Sequence, residues 1–142
     1  KISITTDLMV GFPGEKEEDF QDTLNLVKDV EFDGAFTFKY SPRPETGAAK
    51  LKDDVPMKTK KERLANLNEI CEKMALEKNR RLLGKVEEIM VERFAPREKK
   101  LVGRTRGNKT VFFSGPEKSI GKLLSVEIEG AFTWSLMGRV GR

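Results

Sequence analysis

The first eighty residues alternate between two hydrophobic rhythms. Ile2, Ile4, Leu8, Met9 and Val10 lie in residues 1–11, whose closing apolar run stops at Gly11, as a β-strand would. Pro13 and Gly14 then impose a tight turn. Glu15, Glu17, Glu18 and Asp19 open an amphipathic helix predicted over 15–30. Its Phe20, Leu24 and Val27 fall on one face at spacings of four and three, and its acids suit the positive end of the helix dipole. Asp33-Gly34 makes a turn, after which Phe36, Phe38 and Tyr40 alternate with Ala35, Thr37 and Lys39. That alternation predicts a second strand with an aromatic face, which Pro42 and Pro44 prevent from continuing. Strand, helix and strand in this order predict a parallel βαβ unit. Such a unit needs more sheet than these residues supply, so the chain reads as a piece of something longer.

An irregular loop over 45–56 leads to a long helix predicted over about 57–82, with Pro56 at its start and Thr59 and Glu62 at capping-box spacing. Leu64, Leu67, Ile70, Cys71 and Met74 form its apolar stripe. Cys71 therefore reads as a small buried hydrophobe. Lys58, Lys60, Lys61, Arg63, Lys78, Arg80 and Arg81 read as solvated faces of the same helix, with contact of some of them to RNA as the lesser alternative. Gly84 ends it, and the domain boundary is placed there: 1–83 and 84–142.

From residue 84 the helical period is lost. Apolar runs around Val86–Val91, Val102–Phe113, Leu123–Glu129 and Phe132–Val140 are separated by Gly103, Gly107-Asn108, Gly115-Pro116, Gly121 and Gly130. Short strands at this spacing predict a small antiparallel barrel. Alternation must bury one of the adjacent Phe112 and Phe113.

Charge divides the two parts. Residues 1–83 carry a net −1 and residues 84–142 a net +5, within an overall +4. The basic excess of the second part suggests a polyanionic partner. It concentrates in 97–109, where Arg97, Lys99, Lys100, Arg104, Arg106 and Lys109 face one acid, Glu98. With Phe112, Phe113, Phe132 and Trp134 nearby, this is the composition that holds single-stranded nucleic acid, cations on phosphates and rings on bases. The competing reading makes the rings core and the basic run a solvated loop. One cysteine and no histidine exclude an internal disulfide framework, a cysteine-built metal site and histidine catalysis within these residues. No apolar run reaches the length of a membrane span, and a cytoplasmic setting is expected.

Two strand ends carry candidate chemistry. Gly11-Phe12-Pro13-Gly14-Glu15 is neither a phosphate-binding P-loop nor a dinucleotide fingerprint. It is either a ligand-facing turn or a tight connection only. Asp7, in the preceding strand, either faces a cofactor or is a solvated end or the partner of a lysine. Arg43, held between two prolines after Tyr40-Ser41, is placed to clamp a carboxylate or phosphate with its planar fork.

Taken together, Thr6-Asp7-Leu8-Met9-Val10-Gly11-Phe12-Pro13-Gly14-Glu15, Phe32-Asp33-Gly34-Ala35-Phe36-Thr37-Phe38-Lys39-Tyr40-Ser41-Pro42-Arg43-Pro44 and Lys61-Glu62-Arg63-Leu64 resemble the tRNA methylthiotransferases of the radical SAM superfamily, the MiaB family. From about Leu83 the chain looks like a TRAM domain, an OB-like RNA-binding barrel, through Val102-Gly103-Arg104-Thr105-Arg106-Gly107-Asn108-Lys109. Glu45 stands where the family mostly has glycine.

The resemblance implies an α/β fold: C-terminal strands and helices of a partial (β/α) radical SAM barrel, then a small antiparallel β-barrel. It implies an enzyme that adds a 2-methylthio group to isopentenyladenosine next to the tRNA anticodon. S-adenosylmethionine and two 4Fe-4S clusters would serve the full-length parent. The cluster cysteines are absent from this chain, so the piece alone is expected to be inactive, with no catalytic residue and no metal ligand of its own. By the same resemblance Val10, Gly11 and Pro13 line the adenosylmethionine pocket, Ser41 and Arg43 face cofactor or substrate, and Arg104, Arg106 and Lys109 engage the tRNA. The implied partners are the anticodon stem-loop and the N-terminal domains of the same enzyme. The rival readings are a ribosomal-protein methylthiotransferase and a non-catalytic RNA-binding module.

Overall fold

The computed structural model describes residues 2–141, which divide into two compact units, Ile4–Met74 and a second made of 75–141 with Ile2 and Ser3. In the first unit β1 (Thr5–Val10), α1 (Glu17–Val30) and β2 (Gly34–Lys39) form the expected βαβ unit, with β1 and β2 parallel and Val10 opposite Lys39. The Asp19 carboxylate accepts the Lys16 backbone N–H at 2.8 Å and so caps α1. Glu31 ends the helix in the left-handed region, its N–H donating to the Val27 carbonyl. Phe20, Leu24 and Val27 are buried as their spacing predicts, against Val10 of β1 and Leu67 and Cys71 of α2 (Met57–Arg80). Burial of each large apolar side chain contributes about 1.5–3 kcal/mol.

The helices cover one face of the two-stranded sheet. Thr37 on that face donates its hydroxyl to Asn68 of α2. On the opposite face Met9, Phe36 and Phe38 remain exposed, Phe36 to 70%.

One expectation about α2 is corrected. Lys60 and Arg63 are not solvated: they are 1% and 7% exposed. They lie two turns and one turn before Leu67 on the same stripe, and that stripe faces the strand ends, where carboxylates meet them.

In the second unit β3 (Val86–Ala95), β4 (Lys100–Thr105), β5 (Thr110–Ser114), β6 (Leu123–Ala131) and β7 (Leu136–Val140) close a barrel in the order β3-β4-β5-β7-β6. The barrel is mixed, which corrects the antiparallel expectation: β5 and β7 run parallel. Five strands in a closed ring cannot alternate direction all the way round, so one neighbouring pair must be parallel. Ile89, Val91, Leu101, Val111, Phe113, Val126, Ile128 and Leu136 fill the interior. Gly138 allows β7 to pass close to β6, since a Cβ there would lie 2.5 Å from the Glu127 carbonyl oxygen.

Candidate functional site

The parallel register brings the C-terminal ends of β1 and β2 side by side, so Gly11–Glu15 and Tyr40–Arg43 leave the sheet at one edge. Such an edge is where ligands sit in parallel α/β folds. Gly11 has φ +72°, and its N–H donates to Glu15 Oε2 at 2.9 Å. Glu15 Oε1 in turn receives Arg63 at 2.6 Å, and the same guanidinium reaches Glu17 at 3.1 Å and the Glu15 carbonyl at 3.1 Å. Arg63 also lies 5.4 Å from the Phe20 ring centroid. Hydrogen bonds from Gln21 first, then from Arg63, hold the Glu17 carboxyl below its ordinary range. Gly14 N–H donates to Asp54 at 2.7 Å. The turn is thus held by carboxylates on its own N–H groups, with buried Arg63 behind one of them.

Lys60 rises beneath the same edge. Its ammonium pairs with Asp53 at 2.6 and 2.7 Å and lies 5.0 Å from the Tyr40 ring centroid. Tyr40 donates its hydroxyl to the Ala48 carbonyl at 2.9 Å and meets Phe12 edge to face at 5.2 Å.

The predicted residues divide accordingly. The Val10 side chain is fully buried in the helix-packed core and fixes the strand end. Gly11 is buried and Pro13 half-buried. Ser41 and Arg43 are exposed, and among the described residues no carboxylate lies within ion-pair distance of the Arg43 guanidinium. The Arg43 carbonyl accepts the Thr46 hydroxyl at 2.8 Å, which shapes the loop after Pro44. Glu45 has φ +66°, the left-handed conformation that glycine adopts freely. Asp7 is exposed.

Cys71 is buried in the core of the first unit, and burial, then the charge of Glu72, pushes its thiol up. Among the described residues no three His, Cys, Asp or Glu side chains converge as metal ligands. This chain's own residues do not fit a 4Fe-4S cluster.

On the barrel, Arg104, Arg106 and Lys109 share the β4–β5 hairpin but not one environment. Arg106, with 83% of its side chain exposed, pairs with Glu88 at 2.7 Å. Arg104 is half-exposed, 3.6 Å from Glu92, and donates to the Asn108 carbonyl at 3.2 Å. Exposed pairs of this kind are weak, so both guanidiniums stay available to a competing anion. Lys109 is half-buried and donates to Asn79 Oδ1 at 2.9 Å. Asn79 also donates to the Phe132 and Thr133 carbonyls at 2.7 and 3.1 Å. One buried amide therefore joins the basic hairpin to the turn that carries exposed Phe132 and Trp134.

From the sequence Lys60 and Arg63 read as solvated helix faces and Asn79 has no assigned role. For the first two the signal was present: positions 60, 63, 67 and 71 continue the helical stripe. For Asn79 no spacing announces its partners.

A protein-family model described as TRAM domain matches residues 80–140. Along nearly its whole length the chain is similar to proteins named tRNA-2-methylthio-N(6)-dimethylallyladenosine synthase. The identity is 50% over 139 residues, 97% of this chain, with that of Bacillus licheniformis. It is also 50% over 97% of the chain with that of Halalkalibacterium halodurans, and 49% over 96% with that of Bacillus cereus strain AH187. The chain spans 27%, 26% and 27% of the length of these three relatives. No helix of the described residues is long and apolar enough to cross a membrane. A TRAM-domain match thus covers residues 80–140, a βαβ unit precedes it, and across both the chain is similar to proteins named tRNA-2-methylthio-N(6)-dimethylallyladenosine synthase.

Proposed function

We propose that this chain is the C-terminal part of a tRNA-modifying methylthiotransferase, which adds a 2-methylthio group to isopentenyladenosine beside the anticodon. The observation that carries the reading is identity of about half the residues across both units to proteins named for that product. In this reading residues 1–83 form the closing wall of a partial (β/α) barrel of the radical SAM type. The parallel strands, the helices on one sheet face and the bare apolar residues on the other support that role, because a barrel wall is covered outside by helices and turns apolar side chains to the barrel interior.

At the strand edge Gly11 and Pro13 border the adenosylmethionine pocket, Val10 anchors them from the core, and Ser41 and Arg43 reach toward cofactor or substrate. Arg43 suits a carboxylate or phosphate because it is exposed and lies in a shaped loop. Bound S-adenosylmethionine and two 4Fe-4S clusters supply the radical and methyl-transfer chemistry, and the cluster ligands come from other parts of the full-length enzyme. Residues 84–142 grip the tRNA anticodon stem-loop through Arg104, Arg106 and Lys109, and the enzyme works in the cytoplasm.

Filter binding of an anticodon stem-loop tests this. Arg104→Ala with Arg106→Ala is expected to weaken binding and to lower the slope of log affinity against log salt by about 2, one per lost phosphate contact. An unchanged slope removes the basic hairpin from the interface. Preference for a ribosomal protein over the stem-loop would instead favour a protein-modifying enzyme.

A further inference from the structure

The outer wall of the barrel carries a cavity of about 170 Å³ that the basic hairpin does not account for. We propose that this cavity receives one unpaired nucleobase of the bound RNA, stacked against Phe132 and Phe112. The proposal rests on the RNA-binding reading and adds a subsite to it.

The cavity follows from strand alternation. Phe113 points into the barrel core, so Phe112 points out. Across the parallel β5–β7 pair Phe112 lies opposite Met137, and across β6–β7 Met137 lies opposite Gly130. A Cβ at Gly130 would lie 3.2 Å from Met137 Cβ and 3.6 Å from the Phe132 ring, so glycine lets Phe132 close over this row. Phe132 is 53% exposed, yet its backbone is pinned on both sides. Its N–H donates to the Ser135 carbonyl at 2.9 Å, and its carbonyl accepts from Asn79 at 2.7 Å. A pinned, half-bare ring is a preorganised stacking surface.

The rim identifies the occupant. Lys100 Nζ lies 2.9 Å from the Met137 sulfur, and among the described residues it has no carboxylate partner within ion-pair distance. Exposed Arg97 and Lys99 adjoin it in the chain. Glu98 offers one acceptor for a base amino group. An apolar slot beside unpaired cations matches a flat base attached to phosphates better than it matches an apolar peptide side chain. Its volume is below the roughly 300 Å³ of pockets that enclose whole drug-sized ligands and suits one ring system.

The test uses the 142-residue chain and a short single-stranded RNA carrying one 2-aminopurine, alone or annealed to its complement. Binding of the single strand is expected to quench the fluorophore, and binding of the duplex is not. Phe132→Ala and Phe132→Leu are each expected to weaken single-strand binding by about 5- to 150-fold with an unchanged salt slope. Phe132→Tyr, which keeps the flat ring, is expected to retain wild-type affinity. If Leu binds as well as Tyr, the slot is merely apolar and the proposal falls. If the Ala and Leu variants keep full affinity while Arg104→Ala with Arg106→Ala loses it, the slot fails and the RNA reading survives. If the wild-type chain binds no RNA at low salt, both fail. A change in sedimentation of the Phe132 variants with no change in RNA affinity would reassign the face to self-association.

Discussion

Gly11 rests directly on the aliphatic stem of Lys60: a Cβ at position 11 would overlap Lys60 Cγ and lie 3.0 Å from Cδ. Gly11 also has φ +72°, a conformation that costs an L-residue about 1–2 kcal/mol. Overpacking of the buried stem adds about 1–3 kcal/mol. Gly11→Ala is therefore expected to destabilise the first unit by about 2–5 kcal/mol in urea unfolding. An unchanged midpoint would mean that the turn and Lys60 can separate freely.

The ion pair beneath that glycine is asymmetric. Lys60 is 1% exposed, whereas 38% of the Asp53 side chain is exposed. Removing the carboxylate strands a buried ammonium, so Asp53→Asn is expected to cost about 3–5 kcal/mol. Lys60→Met keeps the stem under Gly11 and leaves a carboxylate that water can reach. Its expected cost is below about 1.5 kcal/mol. Denaturant unfolding of the two variants compares them directly, and the reverse order would refute the argument.

Asn79 spends all three of its polar bonds inside the second unit, on the Phe132 carbonyl, the Thr133 carbonyl and the Lys109 ammonium. Asn79→Ala removes these three hydrogen bonds of a buried amide and is expected to destabilise the barrel by about 1–3 kcal/mol. It should also free the β6–β7 turn. Trp134 is the chain's one tryptophan and sits in that turn, so its fluorescence anisotropy reports the release. Anisotropy equal to the wild type would show that Asn79 does not hold the turn.

Hydrophobic period together with glycine and proline turn signals determined the element order. The α1 face, the aromatic alternation of β2, the α2 stripe and the burial of one of Phe112 and Phe113 were all legible, because each depends on neighbours along the chain. Motif order likewise carried the resemblance. The strand-end turn and the Tyr-Ser-Pro-Arg-Pro segment were also legible as candidates, since glycine and proline restrict the backbone locally.

Only the tertiary structure decided which charges are buried and which rings are bare. Lys60 and Arg63 read as surface residues because their partners Asp53 and Glu15 become near neighbours only once the loops fold over α2. The parallel β5–β7 pair, and with it the Phe112–Met137 row, exists only because an odd number of strands closes into a ring. Local patterning specifies a residue's face; which groups meet across that face depends on chain closure, which no window of sequence contains.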